Sequence, residues 1–77
     1  MLRDIDYAAA AVERAILEKF GRANELDGLE VTAQERTIAV RHGPHAAEGT
    51  RDNLLAAVRK ADAYADLWQL LRGQEHP

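Results

Sequence analysis

The chain has 77 residues, 13 Asp and Glu against 10 Lys and Arg, a net charge of −3, 47% hydrophobic residues and no cysteine. That length permits one domain, and the composition excludes a disulfide framework and any zinc site built with cysteine. No apolar run approaches the roughly 18 residues of a membrane span, and the acidic balance argues against the clustered Lys and Arg that nucleic-acid binding requires.

A domain this small buries only about 60% of the surface its unfolded chain exposes. Its core alone is expected to supply about 3–5 kcal/mol unless something staples it. Much of the apolar content is alanine, which buries little area per residue; Phe20 is the one phenylalanine and Trp68 the one tryptophan. With no covalent staple, oligomerisation is the remaining common device, and a homodimer is expected. The opening residues Met1-Leu2-Arg3-Asp4-Ile5-Asp6 place two acids where a signal peptide carries bases, so a cytoplasmic protein with no membrane association is expected.

A first helix is expected from about Ile5 to Phe20. Ile5, Ala8, Ala9, Val12, Ala15, Ile16, Phe20 and Ala23 recur at spacings of three and four, which is one helical face. Asp4 or Asp6 suits its N-terminus. Gly21 is a natural stop, but the pattern also permits continuation to Leu26 before Asp27-Gly28.

Residues 29–42 then read as a β-hairpin. Leu29, Val31 and Ala33 alternate with polar residues, as do Ile38, Val40 and His42. With Gln34-Glu35 as the loop, Val31 faces Ile38, Leu29 faces Val40, and Thr32 pairs with Thr37. Gln-Glu is a poor two-residue turn, and a four-residue turn from Ala33 to Arg36 is the alternative.

Residues 43–49, punctuated by Gly43, Pro44 and Gly49, read as a surface loop. A second helix is expected from Thr50, as N-cap, to about Arg72, followed by a frayed tail at 73–77. Its apolar residues fall on two lines. Leu54, Ala57, Val58, Ala61, Tyr64, Ala65, Trp68 and Leu71 form a broad core stripe, with Trp68 as its anchor against the first helix and the hairpin. Ala63, Leu67 and Leu70, with Ala56, form a narrower line on the far side. These read either as ordinary exposed residues or as a contact surface for a second copy or another protein; the small core favours contact.

Together these elements make a small α+β domain of order α-β-β-α, with two helices on a two-stranded antiparallel hairpin. The two open edges of such a hairpin invite a second copy to complete a four-stranded sheet.

The chain contains neither serine nor cysteine, which removes the usual catalytic nucleophiles. Thr32 and Thr37 read as strand residues and Thr50 as a cap. His42 and His45, with Glu48 nearby, have donor types that bind transition metals, but no closed ligand set is present. A strand-end histidine followed by a turn histidine is the simpler reading, with a pH-sensitive patch as a variant. Asp62 and Asp66, four apart beside Arg59, read as a solvated helix face. A basic patch of Arg36, Arg41, Arg51, His42 and His45 would hold a phosphate, but it is interspersed with acids and has no aromatic for base stacking. Neither a Walker lysine loop nor a GxGxxG pattern occurs.

The function expected from the sequence is therefore a non-enzymatic protein-interaction module without cofactor or metal. It fits a regulator or a phage or mobile-element inhibitor of a host protein. Ala63, Leu67, Leu70, Arg41, His42 and His45 are the candidate contact residues. The alternative is a dimeric nucleic-acid-binding regulator that uses the hairpin and basic loop.

Overall fold

A computed structural model describes residues 2–22 and 24–73 of the chain. The places expected for Ala23 and for the tail beyond Gly73 lie outside the described residues. The order is α1 (Asp4–Phe20), β1 (Glu30–Ala33), β2 (Ile38–His42), β3 (His45–Gly49), α2 (Arg51–Lys60) and α3 (Tyr64–Gly73). Among the described residues the class is α+β, but with three helices and a three-stranded antiparallel sheet of order β1-β2-β3. The expected two-stranded hairpin and two helices are corrected at two points, the loop 43–49 and the long second helix.

α1 buries Ala9, Val12, Ile16 and Phe20, the stripe that the spacing predicts. Its N-cap is Arg3 rather than Asp4 or Asp6. Asp6 acts from the first turn instead, its Oδ2 accepting from the Arg3 backbone N–H at 2.8 Å. The helix ends at Phe20, and the Asn24 side chain donates to the Phe20 carbonyl at 3.0 Å. That side-chain bond satisfies an end carbonyl which a continued helix would have bonded itself.

β1 and β2 pair with Val31 opposite Val40, Ala33 opposite Ile38 and Thr32 opposite Ala39. The expected pairing of Val31 with Ile38 and Thr32 with Thr37 is shifted by two residues, which keeps every side chain on its expected face. Neither the two-residue Gln-Glu turn nor the Ala33-to-Arg36 alternative forms. Gln34 to Thr37 make the connection, closed by the Gln34 N–H donating to the Thr37 carbonyl at 2.8 Å.

The segment read as a loop is a second hairpin. His42 pairs with His45 and Ile38 with Gly49, so Gly43-Pro44 is a two-residue turn. Gly43 sits at φ +58°, the conformation that a type II′ turn demands at its first central residue and that glycine adopts without a Cβ penalty. β3 is poor in the β-branched residues that advertise a strand. Ala47 is its buried residue, and the other two alanine and glutamate positions lie outside.

Ile38, Val40 and Ala47 are buried beneath the helices, with Val31 and Ala33 half-buried beside them. Glu30, Thr32, Arg41, Ala46 and Glu48 are exposed on the opposite, open face of the sheet. α1 lies over β1 and α3 over β3, and α2 packs against both of these helices. The Lys19 ammonium ties α1 to the end of α2, donating to the Val58 and Arg59 carbonyls at 2.7 and 2.9 Å. These are helix-end carbonyls for which a cation is the favoured partner.

The expected helix from 50 to 72 is broken at Ala61, whose ψ is 129°. At about 1.5 Å per residue a continuous helix would run roughly 34 Å, about twice the length of five-residue strands at about 3.3 Å per residue. Breaking it lets α3 fold back over β3 while α2 packs against α1 and α3. Asp66 starts the new helix, its Oδ2 accepting from the Ala63 N–H at 3.3 Å.

Candidate functional site

The most structured polar arrangement lies where the β2–β3 turn meets the start of α3. The Tyr64 hydroxyl lies 2.8 Å from His42 Nδ1. The His45 ring stacks on Trp68, with centroids 5.0 Å apart and planes at 14°. Tyr64 meets Phe20, His42 and Trp68 edge-on, at centroid distances of 5.7, 5.7 and 6.2 Å. These edge-to-face contacts are the arrangement that ring quadrupoles favour. The strand pair His42 and His45 is therefore bracketed by the first turns of α3, which holds the second hairpin against the helical layer.

Trp68 is 1% exposed, as its expected role as core anchor requires. Its Nε1 is buried without a hydrogen-bond partner among the described residues. Burial pushes the Tyr64 phenol above its ordinary value of 10.0. A phenol hydrogen donated to Nδ1 leaves Nε2 as the protonated nitrogen of a neutral His42.

Beside this cluster His42 and Gly43 line a shallow recess of about 190 Å³ with Gly28, Glu30 and Arg41. Glu30 and Arg41 are direct cross-strand neighbours. The recess thus offers one carboxylate and one guanidinium together and no net charge from these two to select an ion. Among the described residues no group of three His, Asp or Glu side chains could hold a metal.

The contact residues expected from the sequence do not come together. Leu67 is fully buried in the core. Leu70 is half-buried against the same core, and Ala63 is exposed in the link between α2 and α3. The break at Ala61 changes the phase of the helix wheel, so that Leu67, Trp68 and Leu71 form the buried stripe of α3. Tyr64 is half-buried and Ala65, expected in the stripe, is exposed. His42 and His45 are half-buried through their aromatic partners, and Arg41 is exposed on the open sheet face.

The expected basic patch is divided by the strand register. Arg41, His42 and His45 lie toward the Gly43-Pro44 turn, whereas Arg36 precedes, and Arg51 follows, the opposite end of the β2–β3 ladder at Ile38 and Gly49. Arg51 is paired with Asp52 at 3.2 Å. Asp62 and Asp66 are exposed, but they are separated by the helix start that Asp66 caps.

Family models, curated proteins and solved structures contain no match to this chain.

The outer face of α1 carries the contact-type residues that sequence reading passed over. Among the described residues the exposed large hydrophobics are Leu2, Tyr7 and Leu17, at 60%, 62% and 43% exposure. Tyr7 lies on α1 opposite its buried stripe and Leu17 on the flank of that stripe, both on one line with exposed Ala10 and Arg14. The available signal was their failure to fit the stripe of Ala9, Val12, Ile16 and Phe20. A broad run of alanines concealed it, because alanine fits either face.

Proposed function

We propose that the chain is a non-enzymatic protein-interaction module and that the outer face of α1 is its contact surface. The observation that carries this reading is the exposure of Tyr7 and Leu17 on one helix line in a domain where, among the described residues, the other large apolar side chains are buried or half-buried, Leu2 apart. A tyrosine and a leucine separated by small and charged residues match the composition of interface centres, where aromatic anchors carry much of the binding energy. The sequence favours binding over catalysis, since it contains no serine or cysteine nucleophile. The buried residues described are all apolar, which leaves no desolvated carboxylate or lysine of the kind acid–base catalysis draws on. A module of this type acts by occupying its partner, as a regulator or an inhibitor does.

Site-specific photo-crosslinking in living cells tests this reading. A photoreactive phenylalanine analogue in place of Leu17 is expected to give a discrete protein adduct. The same residue in place of Thr32, on the open sheet face, is expected to give none. Adducts from Thr32 and not from Leu17 would move the contact surface to the sheet.

A further inference from the structure

The order of side chains along the outer face of α1 is large, small, cationic, large: Tyr7, Ala10, Arg14, Leu17. The spacing is three, four and three residues, the repeat that keeps one line of a helix facing a second helix. We propose that this line is the seam of a two-fold, antiparallel pairing between the α1 helices of two copies of this chain. The proposal rests on the protein-binding reading above and names the partner as the chain itself.

Antiparallel pairing is the arrangement that this order satisfies. About a two-fold axis at the middle of the line, Tyr7 of each copy meets Leu17 of the other, and Arg14 of each lies across Ala10 of the other. Large thus meets large at both ends, where the helices have room to splay, and the long cation crosses the small residue at the centre. A parallel pair would instead set Arg14 against Arg14, a like-charge contact. The surface also holds a hollow of about 430 Å³ lined by Ala10, Glu13, Arg14, Leu17 and Glu18, and the pairing turns it toward the Tyr7 ring of the second copy.

Charge completes the match. Arg14 lying across Ala10 of the second copy comes within reach of that copy's Glu13, one turn along the same helix. Among the described residues the Glu13 and Arg14 side chains take part in no ion pair or hydrogen bond, so both are available to such a contact. Because the interface is isologous, one pair of residues gives two reciprocal ion pairs.

Sedimentation of the full chain from micromolar to near-millimolar concentration tests the proposal. The expected mass is twice the 8.5 kDa of one chain. Leu17→Glu is expected to weaken association by roughly tenfold to a hundredfold or more, with an unchanged circular dichroism spectrum. Glu13→Arg and Arg14→Glu each place like charges across the seam and are expected to sediment as monomers. Mixed in equal amounts, they restore opposite charges and are expected to form a heterodimer. A monomer at every concentration overturns the proposal, as does a dimer that none of these variants weakens. If the chain is monomeric but the probe at Leu17 still captures a different protein, the self-pairing fails while the interaction surface on α1 stands. A Leu17 adduct at twice the chain mass supports both.

Discussion

α1 and α3 each carry apolar side chains on more than one side, and they dispose of them differently. α3 buries Leu67, Trp68 and Leu71 and half-buries Leu70, so the leucines and the tryptophan of both lines read from its sequence face the core or its margin. α1 buries one stripe and leaves Tyr7 and Leu17 outside. The difference comes from placement. α3 is short, follows a break and is enclosed by β3, α2 and the aromatic rings of the β2–β3 turn. α1 is 17 residues long and packs on β1 and α2 with one side only. Apolar residues on the far side of a helix wheel therefore stay exposed to solvent only when the helix is straight across the residues compared.

Substitutions that interchange the two regions give the sharpest break of this comparison. Leu67→Glu places a carboxylate at a site with 0% exposure and is expected to unfold the domain. Trp68→Ala, which removes the largest buried side chain, is expected to cost about 3–5 kcal/mol. Chemical denaturation monitored by far-ultraviolet circular dichroism measures both. A Leu67→Glu protein as stable as the parent would mean that α3 presents Leu67 outward, as the unbroken helix wheel suggests.

A smaller effect is expected where α3 holds the β2–β3 turn. Tyr64→Phe removes the hydrogen bond to His42 and is expected to cost about 0.5–1.5 kcal/mol at neutral pH. The parent also carries a pH dependence that this variant lacks. Burial raises the folded phenol above 10.0, so an unfolded chain releases that proton first. The stabilisation from the neutral phenol is complete below pH 10 and is lost as the pH rises through the folded value. Stability of the parent relative to Tyr64→Phe should therefore fall only in strongly alkaline solution. A difference that is independent of pH across that range would show that the phenol is solvated in the fold.

The smallest effect on stability is expected on the outer face of α1. Leu17→Gln should change the monomer's unfolding free energy by no more than about 0.5 kcal/mol. A loss of several kcal/mol, measured at a concentration where the chain is monomeric, would place Leu17 in the core and remove the contrast between the helices.

Much of the fold is legible in residue order, and the exceptions have identifiable causes. The stripe Ala9, Val12, Ile16 and Phe20 and the faces of β1 and β2 follow from periodicity, because large apolar side chains recur at helical or strand spacing. β3 was missed because His45-Ala46-Ala47-Glu48-Gly49 lacks such side chains and follows a Gly-Pro pair that equally begins a loop. The break at Ala61 carries no glycine or proline, yet it has an electrostatic signature. Arg59 and Lys60 suit the negative end of a finishing helix, and Asp66 suits the positive end of a starting one. The candidate contact line on α1 was hidden for a related reason, since its alanines carry no preference for inside or outside.

Residue order alone carries the α+β class, the long first helix and its buried stripe, the hairpin faces and the core position of Trp68. Local periodicity and backbone preference suffice for these. That a third strand extends the sheet, that the last helix turns back at Ala61, and that Leu67 lies inside while Leu17 lies outside follow from packing between elements. Each of those outcomes depends on which element covers which. One long helix would overrun a sheet about 17 Å long, whereas the break lets α3 cover β3 and α2 pack on the other helices, and that choice sets which side of each helix meets water.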